Sequence, residues 1–363
     1  LYGHPKAKEV HMHQFSTDYA EGAAPEVLAA LVATNAEQHP GYTEGDPHCE
    51  HARELIRAAC GRDDVDVEFA IGGTSANVVA LNGLLRDWEG VICTKDGHIN
   101  VHETGALAAA GRTVLPTQDA DGFLSPEQAE RVWRFQTSTG RHMTRPAAVY
   151  ISDTTELGGV WTRERFDAIC DWAEGHGLAI FVDGARLGSA LTSPENDLTL
   201  PHIAQRASAL YIGGTKNGAL MGEAMVIADE RLREAWPYLI KERCGLLAKG
   251  RLLGVQFEAL FDAGREGDGA EAPYWRYARN ANEQALSLRD GLMGLGYEPY
   301  GHSASNQQFF TCTAEQAETF GREAGCETFY ELEDGRRVVR FVCSWATTDE
   351  DVAEALGLAE RIR

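Results

Sequence analysis

Seven short apolar runs, spaced by helical stretches, constrain the fold of this 363-residue chain more than any other feature. They are Val67–Ile71, Val91–Cys93, Thr113–Leu115, Ala147–Ile151, Leu178–Val182, Ala209–Ile212 and Ala224–Ile227. Most are continuous, not alternating. A strand with one face in water alternates apolar and polar residues, so continuous runs predict strands covered on both faces. That requires helices on each side of a largely parallel sheet. The sequence supplies them. Pro25 opens a helix with Val27, Leu28, Leu31 and Val32 on one face. Further helical patterns cover Ser75–Arg86 and Arg163–His176. The expected class is α/β, with a large, mainly parallel seven-stranded sheet domain.

After Ile240 the pattern changes. Leu252–Phe261 and Tyr274–Met293 read as helices, with the loop Gly264–Glu271, rich in glycine and acid, between them. β-like pieces near Gln307–Thr311 and Arg337–Cys343 follow, then a helix from Asp349. The reading is an N-terminal segment over 1–30, a large α/β domain over 31–245 and a smaller C-terminal α+β domain over 246–363. A helix linking the two domains is expected. The length allows this, because single cores stop growing at roughly 250–300 residues.

Charge narrows the partners. The net charge is −22, and no Lys/Arg cluster escapes it. Binding to nucleic acid or an anionic membrane needs a basic surface, so neither is an expected partner. None of the eight cysteines forms a C-x-x-C pair, and Cys93, Cys170, Cys312 and Cys343 lie in or beside apolar runs, as buried thiols do. Leu1–Gln14 is polar and His-rich, with no stretch of signal-peptide type. All apolar runs fall short of the ~20 residues that span a bilayer. A reducing cytoplasm is the expected location.

Two runs end in chemistry. Phe181-Val182-Asp183-Gly184-Ala185-Arg186 takes an apolar strand straight into a carboxylate. In open α/β sheets ligands sit beyond the carboxyl ends of the strands, where such an Asp meets them. The alternative is a loop Asp that caps a turn with Gly184. Tyr211-Ile212-Gly213-Gly214-Thr215-Lys216-Asn217-Gly218 ends a strand in a glycine-rich turn that delivers one lysine. Alone it reads equally as a solvated hairpin lysine. The pair says more than either member. Asp183 and Lys216 stand 33 residues apart, about one strand–helix–strand unit, so both can reach one pocket. Pyridoxal 5'-phosphate (PLP) chemistry needs this pair. A lysine amine forms an imine with the cofactor aldehyde. A carboxylate keeps the pyridine nitrogen protonated, which makes the ring an electron sink.

Two further segments fit that reading. Ile71-Gly72-Gly73-Thr74-Ser75-Ala76-Asn77 leads from a strand into a helix, whose N-terminal N–H groups and dipole suit a phosphate. Thr74 serving only as an N-cap is the alternative. Neither the P-loop nor the dinucleotide-binding spacing is present. In Gly97-His98-Ile99-Asn100-Val101-His102-Glu103, the His98 imidazole can lie flat on a pyridine ring. His98 and His102 are four apart, so a zinc pair and a purely structural histidine both stay open. The segment offers no third zinc ligand and no H-E-x-x-H, and no metal is expected.

Gly-Gly-Thr-Ser-Ala-Asn, Gly-His-Ile-Asn-Val-His-Glu-Thr-Gly, Val-Asp-Gly-Ala-Arg and Gly-Gly-Thr-Lys, in this order, resemble the low-specificity threonine aldolases. These belong to the β-eliminating-lyase group of fold-type-I PLP enzymes. The resemblance runs from about Phe15 to the C-terminus. It implies that Lys216 holds the cofactor, that Asp183 meets the pyridine nitrogen and that His98 stacks on the ring. It implies that Gly73, Thr74 and Ser75 hold the phosphate. Arg186 would face the substrate carboxylate or the cofactor oxygen, and Arg340 would be the second carboxylate-binding arginine. A guanidinium holds a carboxylate through two parallel bonds, which lysine does not reproduce. Ser16 and Asp18 would lie beside the substrate. Arg251 would reach the phosphate of a neighbouring site, and Tyr42 would enter from a partner subunit. A homodimer or homotetramer with shared active sites is implied.

The chain departs from the family where the β-hydroxyl is recognised. The family often has Glu-Asn-Thr-His-Asn after the strand ending at Ile151; here Ser152-Asp153-Thr154-Thr155-Glu156 stands there. Thr155 falls at or near the family histidine. His102 replaces the usual Tyr or Phe and could supply an imidazole instead. Tyr42-Thr43-Glu44-Gly45-Asp46 carries an extra residue. The expected activity is retro-aldol cleavage of a β-hydroxy-α-amino acid, with His98, His102 or a water as base. β-Elimination or transamination on another amino acid is the alternative, and a binding protein without turnover lies outside the enzyme class.

Overall fold

The computed structural model describes residues 13–118, 122–266 and 271–363. All seven expected strands form: β1 (Asp66–Ala70), β2 (Glu89–Cys93), β3 (Thr113–Pro116), β4 (Arg145–Ser152), β5 (Ala179–Asp183), β6 (Ala209–Gly213) and β7 (Glu223–Ile227). They make one sheet in the order β1-β7-β6-β5-β4-β2-β3. The neighbours from β6 to β3 run parallel, and β7 runs antiparallel to both β1 and β6.

The continuous apolar runs have the cause inferred for them. Val149 and Ile151 of β4, Ile180 and Val182 of β5, and Leu210 and Ile212 of β6 enter one core. Their alternates Ala148, Tyr150, Phe181, Ala209 and Tyr211 enter a second core on the other face. Fully burying a Val, Leu or Ile side chain contributes about 1.5–3 kcal/mol, so both faces of each central strand stabilise the sheet.

A second, antiparallel sheet has the order β10-β11-β9-β8, with β8 (Glu298–Pro299), β9 (Gln307–Cys312), β10 (Glu327–Glu331) and β11 (Arg337–Val342). Phe310, Phe320, Phe341 and Leu358 lead its separate core. The linking helix is Pro273–Gly294, packed on Leu187–Thr192 of the large unit and Asp349–Ile362 of the small one. Buried Asn282 clamps the first contact, accepting from Ser189 Oγ at 2.6 Å and donating to Ser189 O at 2.8 Å. Helix Arg251–Phe261, which falls within 246–363, packs instead on Pro47–Cys60 and joins the first core.

The N-terminal segment bridges the two sheets. The Phe15 ring is buried in the small core. Its N–H donates to Ala324 O at 2.8 Å, and its carbonyl accepts from Val342 N at 2.9 Å. Ala24 N then donates to Gly218 O at 2.8 Å, beside the Lys216 turn. Seven of the eight cysteines are buried free thiols, and Cys244 is exposed. The His-rich stretch before His13 and residues 267–270 of the expected Gly264–Glu271 loop lie outside the described residues. That loop begins as a 3-10 turn, Ala263–Glu266.

Candidate active site

The carboxyl ends of β5 and β6 meet because glycines follow both strands. A Cβ on Gly184 would sit 1.9 Å from Tyr211 O, and one on Gly213 would sit 2.3 Å from Ala185 O. Any side chain at either position would force the strands apart, and with them the segments carrying Asp183 and Lys216. The Lys216 turn is fixed from below by buried Glu223 at the start of β7. Glu223 accepts from Gly214 N at 2.8 Å and from Thr215 Oγ1 at 2.9 Å. Burial pushes the Glu223 carboxyl up to about 7, against these two donors and the charge of Lys216.

A cleft of about 300 Å³ opens there, lined by Gly72, Gly73, Thr74, His98, Asp183 and Lys216, with Arg186 and Tyr19 at its side. Asp183, 4% exposed, forms its floor. Tyr150 OH donates to Asp183 Oδ2 at 2.5 Å and Asn77 Nδ2 to the same oxygen at 3.0 Å. Tyr211 OH and Ala185 N donate to Oδ1. Burial pushes the Asp183 carboxyl up, but the charge of His98 and these donors outweigh it and hold the group below the usual carboxylate range. The carboxylate is enclosed yet ionised. Burial and the Arg186 guanidinium lower the Lys216 amine below the ordinary lysine value, although Asp18, Glu156 and Asp183 pull the other way.

The helix that follows β1 has its own geometry at the cleft. Helix Gly73–Leu84 starts at Gly72 and no side chain caps it. Thr74 is therefore not the cap; it sits in the first turn, exposed. Ser75 follows in the same turn without lining the cleft. His98 is held by its Nδ1, 2.9 Å from Glu103 Oε1, and Glu103 also accepts from Asn77 Nδ2 at 2.6 Å. A chain of bonds thus runs from His98 through Glu103 and Asn77 to Asp183. Burial pulls the His98 pKa down, but the Glu103 bond and the charges of Glu156 and Asp183 raise it above the usual histidine value.

A wider cleft of about 540 Å³ adjoins, lined by Lys216, His98, His102, Arg186 and Glu156 from the large unit and by Phe329, Tyr330 and Arg340 from the small sheet. Arg186 forms a two-point ion pair with buried Asp18, Nε to Oδ2 at 2.7 Å and Nη2 to Oδ1 at 3.1 Å. Asn306 Nδ2 adds a bond to Asp18 Oδ2 at 2.9 Å. Burial alone would raise the Asp18 carboxyl; Arg186, Lys216 and Asn306 bring it below the usual range. Arg340 Nη2 donates to Glu327 and reaches Ser16 O at 3.5 Å, and its Nε is buried without a partner. Both carboxylate oxygens of Asp96, on the same cleft, are also buried without a partner.

Thus Lys216, Asp183, His98, Gly73, Thr74 and Arg186 come together in one cleft, and His102 and Arg340 join them in the wider one. Asp18 sits behind Arg186, and Ser16 adjoins through its carbonyl. Tyr42 and Arg251 line neither cleft. Tyr42 is exposed in the left-handed region at φ 66, and Arg251 donates from Nη2 to Thr34 O at 3.0 Å. Among the described residues, His98 and His102 belong to no three-ligand cluster. Sequence reasoning missed Tyr19, Asn77, Asp96, Glu103, Tyr150, Glu156, Tyr211 and Glu223. Tyr150 and Tyr211 carried a signal, a hydroxyl at a buried position of an otherwise apolar run. Thr155 is enclosed and its Oγ1 accepts from Gly159 N at 3.0 Å, while the next residue, Glu156, reaches both clefts.

Comparison with known proteins places the whole chain among related sequences and folds. The profile of the β-eliminating lyase family matches residues 14–318. A low specificity L-threonine aldolase from Pseudomonas sp. (strain NCIMB 10558) is 29% identical over 351 residues, covering 94% of this chain and 95% of that protein. A solved threonine aldolase structure from Leishmania major is 38% identical with a TM-score of 0.91, covering 96% of this chain and 99% of that one. An aspartate aminotransferase from Thermus thermophilus, 16% identical with a TM-score of 0.67 over 98% of this chain and 92% of its own, shares the fold. Fold, cleft and sequence relatives agree that the chain belongs to the β-eliminating lyase family.

Proposed function

We propose that this chain is a PLP-dependent aldolase that cleaves a β-hydroxy-α-amino acid, of the L-threonine or L-allo-threonine type, to glycine and an aldehyde. One observation carries the reading. An enclosed but ionised Asp183 shares a cleft with a buried lysine and an uncapped helix N-terminus. These three features fit a pyridine nitrogen, an aldehyde and a phosphate. Lys216 would hold the cofactor covalently, Asp183 would meet its ring nitrogen, His98 would lie against the ring, and Gly73, Thr74 and Ser75 would take the phosphate. When bound, PLP supplies a sink for the electron pair left at the substrate Cα.

The chain's own residues do the rest. Asp183 has donors at all four acceptor positions. It would hold a protonated ring nitrogen in place of one tyrosine hydroxyl, trading a bond from a neutral donor for one between opposite charges. Arg186 commits Nε and Nη2 to Asp18, leaving Nη1 for a substrate carboxylate, and the orphaned Nε of Arg340 serves the same group from the small sheet. Anchoring the carboxylate decides which Cα bond is aligned for cleavage. His98 commits Nδ1 to Glu103 and keeps Nε2 free, so the β-hydroxyl proton is assigned to His98, or to His102 or Glu156 on the wider cleft.

The test is a visible spectrum of purified protein supplied with PLP, before and after borohydride, with glycine and aldehyde assayed from L-threonine and L-allo-threonine. A band that borohydride abolishes, with the label on Lys216, supports the cofactor reading. Unchanged threonine turnover in Lys216→Ala overturns it. One observation favours a second reading: enclosed Thr155, at the family's histidine position, leaves no imidazole there. β-Elimination or transamination on another amino acid then follows, and pyruvate from L-serine without glycine from L-threonine would select it.

The wider proposal includes a homodimer or homotetramer in which Tyr42 and Arg251 serve a neighbouring site, since neither lines its own clefts. Sedimentation and mixing of Tyr42→Ala with Lys216→Ala protein check it. Among the described residues no helix is long and apolar enough to cross a membrane, and a cytoplasmic location is part of the proposal. So is the division into 1–30, 31–245 and 246–363, with helix Arg251–Phe261 packing on the larger unit.

A further inference from the structure

Away from both clefts, residues 34–46 connect helix Pro25–Ala33 to helix Pro47–Cys60. Among the described residues, one group of three metal-ligating side chains converges, and it lies here: Glu37, His39 and His48, with their ligand atoms within 4.8 Å of one another. Glu37 Oε2 is 2.8 Å from His39 Nε2 and 2.9 Å from His48 Nε2. On its other side His48 Nδ1 is 2.7 Å from Glu258 Oε2, and Glu258 Oε1 is 3.0 Å from His51 Nδ1.

We propose that Glu37, His39 and His48 bind one divalent transition-metal ion, zinc above all, with water completing the coordination. The donor chemistry is two imidazole nitrogens and one carboxylate oxygen, a set that zinc takes with an open fourth position. Hard ions such as magnesium and calcium prefer all-oxygen sites, which this is not. Imidazole ligands of metals donate their second ring N–H to a carboxylate, which fixes the tautomer and the ring plane. Glu258 stands in that place behind His48, and it is largely enclosed on helix Arg251–Phe261.

Two of the three ligand separations are already close to what zinc needs. Ligand atoms about 2.0–2.2 Å from a tetrahedral zinc stand roughly 3.3 Å apart. The two N···O separations here are a few tenths of an ångström shorter. Glu37 and His39 are on the exposed segment, free to open by that amount. The segment itself is tied to helix Arg251–Phe261 where Arg251 donates to Thr34 O and Asn35 O. A bound ion would add a further fastening to the segment that presents Tyr42. The site depends on none of the residues assigned to catalysis.

Zinc titration of the chelator-stripped full chain, followed by calorimetry and metal analysis, tests the proposal. The expected result is one ion per chain, with cobalt giving the intense visible bands of a tetrahedral site. His39→Ala and His48→Ala should each weaken binding at least about 100-fold, and Glu258→Gln about 10–100-fold through His48 orientation alone. His98→Ala should bind zinc as the parent does, which separates this site from the clefts. Circular dichroism of each variant verifies folding, and exposed His39 keeps the test usable if His48→Ala unfolds. Absence of saturable zinc binding by the folded parent, or unchanged affinity in folded His39→Ala, overturns the assignment and leaves a hydrogen-bonded His–Glu network.

Discussion

The floor and the outer wall of the site are built on opposite terms. On the floor, each oxygen of Asp183 receives two donors, three from buried Asn77, Tyr150 and Tyr211 and one from the backbone N–H of Ala185 in the turn after β5. On the wall, both oxygens of Asp96 and the Nε of Arg340 are buried without a partner. An orphaned buried polar group costs about 1–3 kcal/mol. The floor is complete before any ligand arrives, whereas the wall holds unmet valence that a ligand can satisfy. A half that meets an invariant group can be finished by folding. A half that meets the substrate is finished by it.

The largest effect should come from the floor's neighbour. Lys216→Ala is expected to lower turnover at least about a thousandfold, with the fold intact by circular dichroism. Asp183→Asn should cut kcat about 10²–10³-fold through lost electrostatic stabilisation and cost roughly 1–3 kcal/mol in urea unfolding, because donors there lose a charged acceptor. If stability is unchanged, the floor is not the finished element described. Arg340→Lys should raise KM about 10–100-fold with a smaller change in kcat, as expected for one lost charge-assisted bond. An equal fall in kcat would mean that the wall, too, acts mainly in the transition state.

A pH experiment sharpens the contrast between buried carboxyls. Burial raises Asp153 from 3.8 to about 7, against the Trp161 N–H. Its folded-state pKa lies above the unfolded one, so the folded protein holds more protons between those values. Stability should therefore fall as pH rises from about 4 to 7, by up to about 1.4 kcal/mol per pH unit for this group. Asp153→Asn should flatten that slope, with Glu223 left as a remaining contributor. The smallest effect belongs to Asp96→Asn. Removing a carboxylate whose two oxygens have no partner should raise stability by up to about 1 kcal/mol, opposite in sign to Asp183→Asn. A destabilised Asp96→Asn would erase the difference between the two halves.

The floor was legible in the sequence and the wall largely was not. Asp183 and Lys216 stood out because each follows a continuous apolar run and precedes or follows glycine, a pattern with few physical causes. Arg340 was placed by resemblance alone. β10 went unread because its residues, Glu327-Thr328-Phe329-Tyr330-Glu331, are mostly exposed at a sheet edge, where charge guards against further pairing and no buried face imposes a pattern. Asn77 and Glu103 looked like ordinary helix and loop residues, since their role comes from a contact made across the fold. Counting along Ser152-Asp153-Thr154-Thr155-Glu156 pointed to Thr155 for the cleft. The turn enclosed Thr155 and presented Glu156, and side-chain direction in a turn is not fixed by spacing.

The bridge made by Phe15 and Asp18 has a kinetic consequence. These residues lie near the start of the described chain, yet their partners are Ala324, Val342, Asn306 and Arg186. Contacts so distant along the chain form late, after the loop-closure entropy between them has been met. The segment should dock onto two sheets that are already assembled, and Phe15→Ala should hasten unfolding while leaving the refolding rate nearly unchanged. The lifetime of the assembled site, and not its rate of assembly, should then depend on Phe15 and Asp18.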